Sequence, residues 1–386
     1  MLIQNKQIAI VGGGPGGLIL ARLLQLKGAN VKVYERDFNK DARMIGSPLD
    51  MHEESGMAAL RKANLVDEFK KNFHPGADKM VIVNERAEIF FSDHETKPAE
   101  DFGSEHFRPE IDRAPLRNML LESLQPATVV WDSHFVLMEK QNEGWLLHFK
   151  NGSSPYADIV IAADGANSKI RPYITNIKAF YSGITMLEGN VYDAEKATPH
   201  IYALLNGGKI MAFGNKKDIL MGQKANGEIG FYASFKTDEN WASNSGLDYS
   251  DKTQMLEWFK EEYSEWSNIW DELFENAATP FIPRPIHCMP LDQTWESLPN
   301  LTILGDAAHV MPPFAGEGAN MAMLDALELS DCLCSENFND IQTAIASYEN
   351  QMRKRAAVAA QESLENGDRM HSEGALEKML AFFGGK

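Results

Sequence analysis

The sequence predicts an α/β fold: a parallel sheet flanked by helices, interrupted by an inserted antiparallel sheet and followed by a long C-terminal helix. Three observations predict it. Residues 8–11, 31–34, 159–163 and 301–304 are near-continuous apolar runs, each closed by a glycine or an acid, as buried parallel strands are. The first two flank a helical stretch, 18–27, that ends at Gly28 and completes a βαβ unit. The other two lie far downstream, so inserted material divides one sheet.

That insertion, residues 174–285, carries Asn206-Gly207 and Asn226-Gly227, two-residue hairpin signals between alternating segments. Ile229, Phe231, Ala233 and Phe235 share one face of a strand, and Gly230, Tyr232 and Ser234 share the other. One face is expected to pack on its own unit and the other to face a cavity. Residues 258–270 read as a mixed aromatic and acidic helix. Helical spacing returns over 320–333, and a polar, charged helix runs from 341 to about 366, stopping near Gly367. The expected division is therefore a discontinuous unit of 1–173 and 286–340, an inserted sheet unit of 174–285, and a bridging C-terminal helix of 341–386.

Composition narrows the function classes. The 386 residues are 44% hydrophobic, ordinary for a globular chain and too apolar for a disordered one. Fifty-five acids against 37 bases give a net charge of −18, which repels nucleic-acid backbones and anionic lipid. No apolar run has the length of a spanning helix or of a secretory leader, so a cytoplasmic protein without nucleic-acid or membrane partners is expected. Cys288, Cys332 and Cys334 form neither a disulfide framework nor a zinc pattern, and no metal site is expected.

The first chemical motif is Gly12-x-Gly14-Pro15-x-Gly17, directly after a strand and opening a helix. Its glycines permit a tight turn and close approach of backbone to a pyrophosphate at the positive helix end. Glu35 closes the second strand, 18 residues past Gly17, where an acid accepts hydrogen bonds from a ribose. The pattern indicates an adenine dinucleotide without choosing between NAD and FAD, and Arg36 beside the acid would suit an NADP phosphate. A second motif ends a buried strand at Asp164-Gly165 and continues to Ser168 and Arg171. A third ends a strand at Gly305-Asp306 and leads through Pro312-Pro313 to Gly316-Glu317-Gly318-Ala319-Asn320, bringing a second helix N-terminus to the ligand. Two such helix starts in one sheet suit a long ligand with two polar ends, and FAD is one.

These three motifs, in this order, resemble the class A flavoprotein aromatic hydroxylases, the group of para-hydroxybenzoate hydroxylase, over essentially the whole chain. Within the group the chain most resembles the tetracycline-inactivating monooxygenases, in VYERD at 33–37, DAR at 41–43, LD at 49–50, GDAAH at 305–309 and MPPFAG at 311–316. The resemblance implies an FAD-binding, Rossmann-like domain of that type. A monomer is expected, and the resemblance further implies that it consumes NADPH or NADH and O₂ and hydroxylates an aromatic or polycyclic molecule through a flavin C4a-hydroperoxide. Gly12, Gly14, Pro15 and Gly17 would meet the pyrophosphate, Glu35 and Arg36 the adenosine end, and Arg113, assisted by Arg117, the FAD. Arg43 and Asp50 would lie beside the flavin, Asp164 and Asp306 along it, with Asp306 on the ribityl chain. Pro313 and Gly316 to Asn320 would line the ring, with the helix start facing N1 and the C2 carbonyl. No protein nucleophile is implied, because the flavin bears the chemistry.

One departure concerns Glu317, where the family usually has Gln. Its side chain is expected to point to solvent while its N–H serves the ring; the alternative is a carboxylate that tunes the redox potential. His309 is expected to be structural. On the substrate side, Glu188, Lys209 and Gly230 stand where the tetracycline-inactivating enzymes carry Gln, Arg and His. Met211 is grouped with Lys209, Met221 with Gln223, and Tyr232 with Gly230, as further lining; Asn366 is expected near the substrate entrance. Tetracycline is thus one candidate beside other phenolic or polyketide compounds. The rival readings are a nicotinamide-dependent dehydrogenase and an FAD-binding sequestration protein.

Overall fold

The computed structural model describes residues 2–42, 47–95, 101–104 and 107–384. In chain order the principal strands are β1 (Gln7–Val11), β2 (Asn30–Tyr34), β3 (Met80–Asn84), β4 (Ile89–Ser92), β5 (Val129–Val130), β6 (Ile159–Ala162), β7 (Phe180–Val191), β8 (Lys209–Gly214), β9 (Lys217–Gln223), β10 (Ile229–Lys236), β11 (Ile282–Cys288) and β12 (Leu301–Ile303). The principal helices are α1 (Pro15–Leu26), α2 (Arg113–Glu122), α3 (Lys252–Glu262), α4 (Glu317–Cys334), α5 (Ile341–Met370) and α6 (Ala375–Gly384).

The four apolar runs form a parallel sheet in the order β12-β6-β1-β2-β5. Val129–Val130, too short to show a period, supplies the fifth strand. A sheet whose strands are apolar throughout must be covered on both sides. Here α1, α4 and the first half of α5 contribute Leu20, Leu24, Met323, Leu329 and Tyr348 to its core.

The second sheet has seven strands in the order β11-β7-β10-β9-β8-β3-β4. Its rear face carries Leu187, Ile210, Ile219, Phe231 and Ala233, packed on Met255, Phe259, Trp270 and Phe274, with Phe259 and Phe274 stacked at 4.1 Å. Its front face looks into a cavity. The alternation expected along residues 229–235 is observed: Phe231 is in the rear core and Tyr232 lines the cavity.

Several expectations are corrected. Residues 80–92, assigned to the first unit, add β3 and β4 to the second sheet, β3 running parallel to β8 from Met80 opposite Lys209. β11 also carries that sheet across the expected boundary at 285/286. Pairings of such sequence separation leave no local periodic signal. Asn206-Gly207 is no hairpin: Asn206 ends a helix in the left-handed conformation at φ 45°. The tight hairpin joining β8 to β9 uses Asn215 and Lys216 instead, both at positive φ. The 258–270 stretch divides into the end of α3 and a separate 3₁₀ turn, Asn268–Trp270. Helix α5 passes through Gly367 to Met370; the glycine seats Phe314 and does not end the helix, since a Cβ there would lie 2.8 Å from the ring. Among the described residues, no helix is long and apolar enough to cross a membrane.

Candidate functional site

A single cavity of about 2390 Å³ runs from the end of β1 to the front face of the seven-stranded sheet. Pockets for one drug-sized ligand occupy about 300–1,000 Å³, so this volume suits a dinucleotide together with a second molecule.

One end is built by the glycine turn. Gly12 adopts φ +114°, and a Cβ there would stand 2.1 Å from the Ala163 carbonyl. A Cβ on Gly17 would stand 2.1 Å from the Gly12 carbonyl, so both positions hold β1, β6 and α1 in backbone contact. Gly14, the residue before α1, has nothing within 4 Å of a built Cβ, and Pro15 opens the helix. The empty space at Gly14 borders the cavity at a positive helix end, which is the shape a pyrophosphate requires. Glu35 is buried; its carboxylate accepts from Gly13 N at 2.5 Å and Asp37 N at 2.9 Å, ordering the turn while bordering the cavity. Arg36 is exposed at the rim.

The middle is built by two aspartates. Asp164 accepts from Lys169 N at 2.8 Å and shapes the turn after β6. Asp306 is exposed to the cavity, and desolvation by the protein packed around it raises its pKa. Its turn is fixed from behind. Arg171, buried, donates to the carbonyls of Ala307 at 3.1 Å and Ala308 at 2.8 Å, to Ile177 O at 3.0 Å and to Gln293 at 2.7 Å. Asp325 accepts from Gly305 N at 2.9 Å, from Arg355 at 2.6 Å and bonds His309 at 2.6 Å. Burial pushes His309 down, yet the charge and hydrogen bond of Asp325 together with the Asp306 charge outweigh it and raise the pKa. His309 faces Asp325 and is not among the cavity-lining residues, in keeping with a structural role.

The far end is the Pro312–Ala319 loop and the start of α4. Pro313, Gly316, Glu317, Gly318 and Ala319 border the cavity. Helix α5 supports the loop from outside: Ser363 donates to Pro312 O, and Asn366 donates to Phe314 O at 3.2 Å while lining the cavity. Glu317 is not turned to solvent. Its carboxylate is 3.1 Å from His52 Nδ1, while His52 Nε2 is 3.1 Å from Asp50. Burial pushes His52 down, but the hydrogen bonds and charges of Asp50 and Glu317 together outweigh it and lift the pKa to about 9. Burial would raise Asp50, but His52, Lys209 and Arg108 hold it at about 2.

Because folding raises the pKa of His52, its contribution to stability is complete below the ordinary value of 6.5 and is lost as pH climbs through about 9. Urea titrations are expected to show an unfolding free energy falling by about 3 kcal/mol more between about pH 6.5 and about pH 10 than His52→Gln does. Parallel curves for the two proteins would contradict this.

Two of the expected cofactor residues act elsewhere. Arg117 is not among the cavity-lining residues; it pairs with Asp37 at 2.9 Å and donates to Lys40 O. Asn320 is fully buried, accepting from His52 N at 3.0 Å and donating to Asp50 O at 2.8 Å, so it anchors the segment beside the helix start. Arg113 does border the cavity and donates to Ser47 O at 3.1 Å. Arg43 lies outside the described residues.

On the sheet, Met186, Glu188, Lys209, Met211, Leu220 and Tyr232 line the cavity from one face. Glu188 is paired with Arg284 and Lys209 with Glu110. Met221 and Gln223 border the cavity at its margin, but Met221 packs in the rear core and Gln223 accepts from Gly207 N at 3.0 Å. Gly230 is covered by Ser47, 3.2 Å from a built Cβ, and is not among the lining residues. His52 and Arg284 stand outside the motifs that the sequence displays. Asp50-Met51-His52 did carry a signal, since alternate residues of an extended segment share a face.

With this geometry in place, the sequence matches the FAD binding domain family over residues 5–363. The chain belongs to that family. Curated relatives match along nearly their whole length: monooxygenase penA of Penicillium thymicola at 24% identity, covering 97% of both chains, and 6-hydroxynicotinate 3-monooxygenase of Pseudomonas fluorescens at 27%, covering 94% of this chain and 91% of the relative. This chain is a flavin-dependent monooxygenase of the para-hydroxybenzoate hydroxylase-type fold. Among solved structures, HpxO of Klebsiella pneumoniae complexed with FAD and uric acid aligns with a TM-score of 0.76 at 21% identity, covering 99% of this chain and 92% of that one. The tetracycline destructase Tet(55) aligns at 0.74 and 17% identity, covering 99% and 97%; at that identity it shares the fold.

Proposed function

We propose that the enzyme consumes NADPH or NADH and O₂ and hydroxylates a polycyclic or aromatic small molecule held against the front face of the seven-stranded sheet. The observation that carries this reading is the continuity of one cavity from the glycine turn, past Asp306 and the start of α4, to that sheet face. Bound FAD supplies the redox chemistry, accepting hydride and activating O₂ so that one oxygen atom is inserted. The chain supplies position. Gly14 and the start of α1 would hold the pyrophosphate, Asp306 the ribityl hydroxyls, and the first N–H groups of α4 the ring edge that carries negative charge on reduction. Met186, Met211, Leu220, Tyr232 and Phe314 offer an apolar bed that excludes water, while Glu188–Arg284 and Lys209–Glu110 set polar groups at its borders.

Tetracycline is one member of the substrate class to test. Lys209 lacks the planar fork of an arginine, and its ammonium is already paired with Glu110. Purified protein is expected to be yellow, and a true substrate to accelerate NADPH oxidation and yield a product heavier by one oxygen atom. A panel of tetracyclines, polycyclic phenols and hydroxylated heteroaromatics tests this by absorbance and mass. Absence of flavin absorbance and of FAD uptake would refute the reading. Tight ligand binding without NADPH oxidation would favour sequestration instead.

A further inference from the structure

Glu317 poses an electrostatic problem. An ionised carboxylate at the first turn of α4, bordering the cavity, opposes negative charge on a ring placed there. The structure contains the group that answers it. His52, 2% exposed, lies between Glu317 and Asp50 at 3.1 Å from each. Its backbone is fixed as well, since His52 N donates to Asn320, one turn into α4. The second Glu317 oxygen is buried without a hydrogen-bond partner, so the imidazole is the only polar side chain that holds this carboxylate among the described residues. Asp50 has other cations, with Arg108 at 3.9 Å and the Lys209 charge nearby, although Glu110 also draws on Lys209. The His52 charge is therefore available to Glu317.

We propose that His52 is a positioning residue for the ring site: clamped between Asp50 and Glu317, its imidazolium keeps the Glu317 carboxylate charge-paired, so the N–H groups opening α4 present net positive charge to the anionic edge of a reduced flavin. Glu317 is thereby tolerated at the helix start because its neutralising partner comes from the segment that follows Asp50. The role presupposes a bound flavin. Failure to take up FAD would undo the proposed function, whereas uptake with unaltered potentials would undo only the role of His52.

The test is a redox titration of the holoprotein, reading the ratio of affinities for reduced and oxidised FAD in a double-mutant cycle. A unit charge left unpaired in the wall of the ring site is worth enough that His52→Gln should weaken the hold on the reduced form about tenfold relative to the oxidised form. In a two-electron couple that is about 30 mV downward in midpoint potential. Adding Glu317→Gln to His52→Gln should restore the ratio to within about twofold, the non-additivity expected of a contacting pair. Glu317→Gln alone should shift the ratio by less than about twofold, because the charge it removes is already neutralised. If His52→Gln does not retain FAD, Glu317→Gln and the imidazole titration in apoprotein still test the pairing. A rise of about tenfold in Glu317→Gln would show a carboxylate already acting on the ring and would overturn the proposal. So would a silent His52→Gln, or a loss that the second substitution does not restore. A readout independent of flavin is the His52 imidazole in apoprotein, expected by nitrogen NMR to stay doubly protonated at about pH 8 and to lose that proton at lower pH in Glu317→Gln.

Discussion

Gly14→Val is expected to leave the chain folded and to cut its affinity for FAD by about a hundredfold, a loss of about 3 kcal/mol. Position 14 has φ −78° and ψ 177°, an extended conformation that valine adopts readily, and no atom within 4 Å of the built Cβ. The isopropyl group would occupy only the space where backbone approaches the pyrophosphate. Gly12 and Gly17 behave differently. At 2.1 Å from a carbonyl oxygen, their side chains would push β1, β6 and α1 apart, so Gly12→Ala or Gly17→Ala should lower stability itself. Fluorescence of released FAD together with urea unfolding of apoprotein separates the two outcomes. A Gly14→Val protein that binds FAD as tightly as the original would show that the dinucleotide does not lie on this turn.

This contrast bears on what a linear sequence discloses. The glycine turn, Glu35 and the Asp306 turn were legible because each combines a strand end, a small residue and an acid within a short window, and the structure gathers all three along one cavity. Apolar runs identified four strands of the parallel sheet because a fully covered sheet demands them. Other features depend on distance in the chain. Nothing near Met80 announces that it will lie opposite Lys209. Arg117 shares a face of helix α2 with Arg113, yet one turn further along the axis it reaches Asp37 and not the cavity. Strand parity separates Met221 from Leu220, but the face that looks into the cavity is decided by the α3 layer packed behind the sheet. Glu317 stood out as a departure in the sequence; its partner did not, because 265 residues separate it from His52.

Arg171→Ala is expected to cost about 4 kcal/mol or more of unfolding free energy and to weaken FAD retention with it. A guanidinium at 5% exposure is an expensive group to bury, and burial pulls its pKa down to about 10, so it remains charged at neutral pH. None of its hydrogen-bond partners is a carboxylate: three are carbonyls, of Ile177, Ala307 and Ala308, and the fourth is the Gln293 amide oxygen. The planar fork thus joins the turn bearing Asp306 to the segment that leads into β7. Truncation would leave Ala307 O, Ile177 O and the Gln293 oxygen without this donor, at about 1–3 kcal/mol for each buried acceptor left unsatisfied. Ala308 O keeps Gln293 as a donor at 3.0 Å. Arg171→Lys should recover less than half of the loss, because an ammonium on a flexible stem cannot meet four acceptors spread around a plane. Urea unfolding of the three proteins, with and without saturating FAD, measures both effects. A loss below about 1 kcal/mol in Arg171→Ala would mean that the Asp306 turn holds its shape through Asp325 alone. The same sheet end would then be organised by the α4 side rather than by the clasp from the segment after β6.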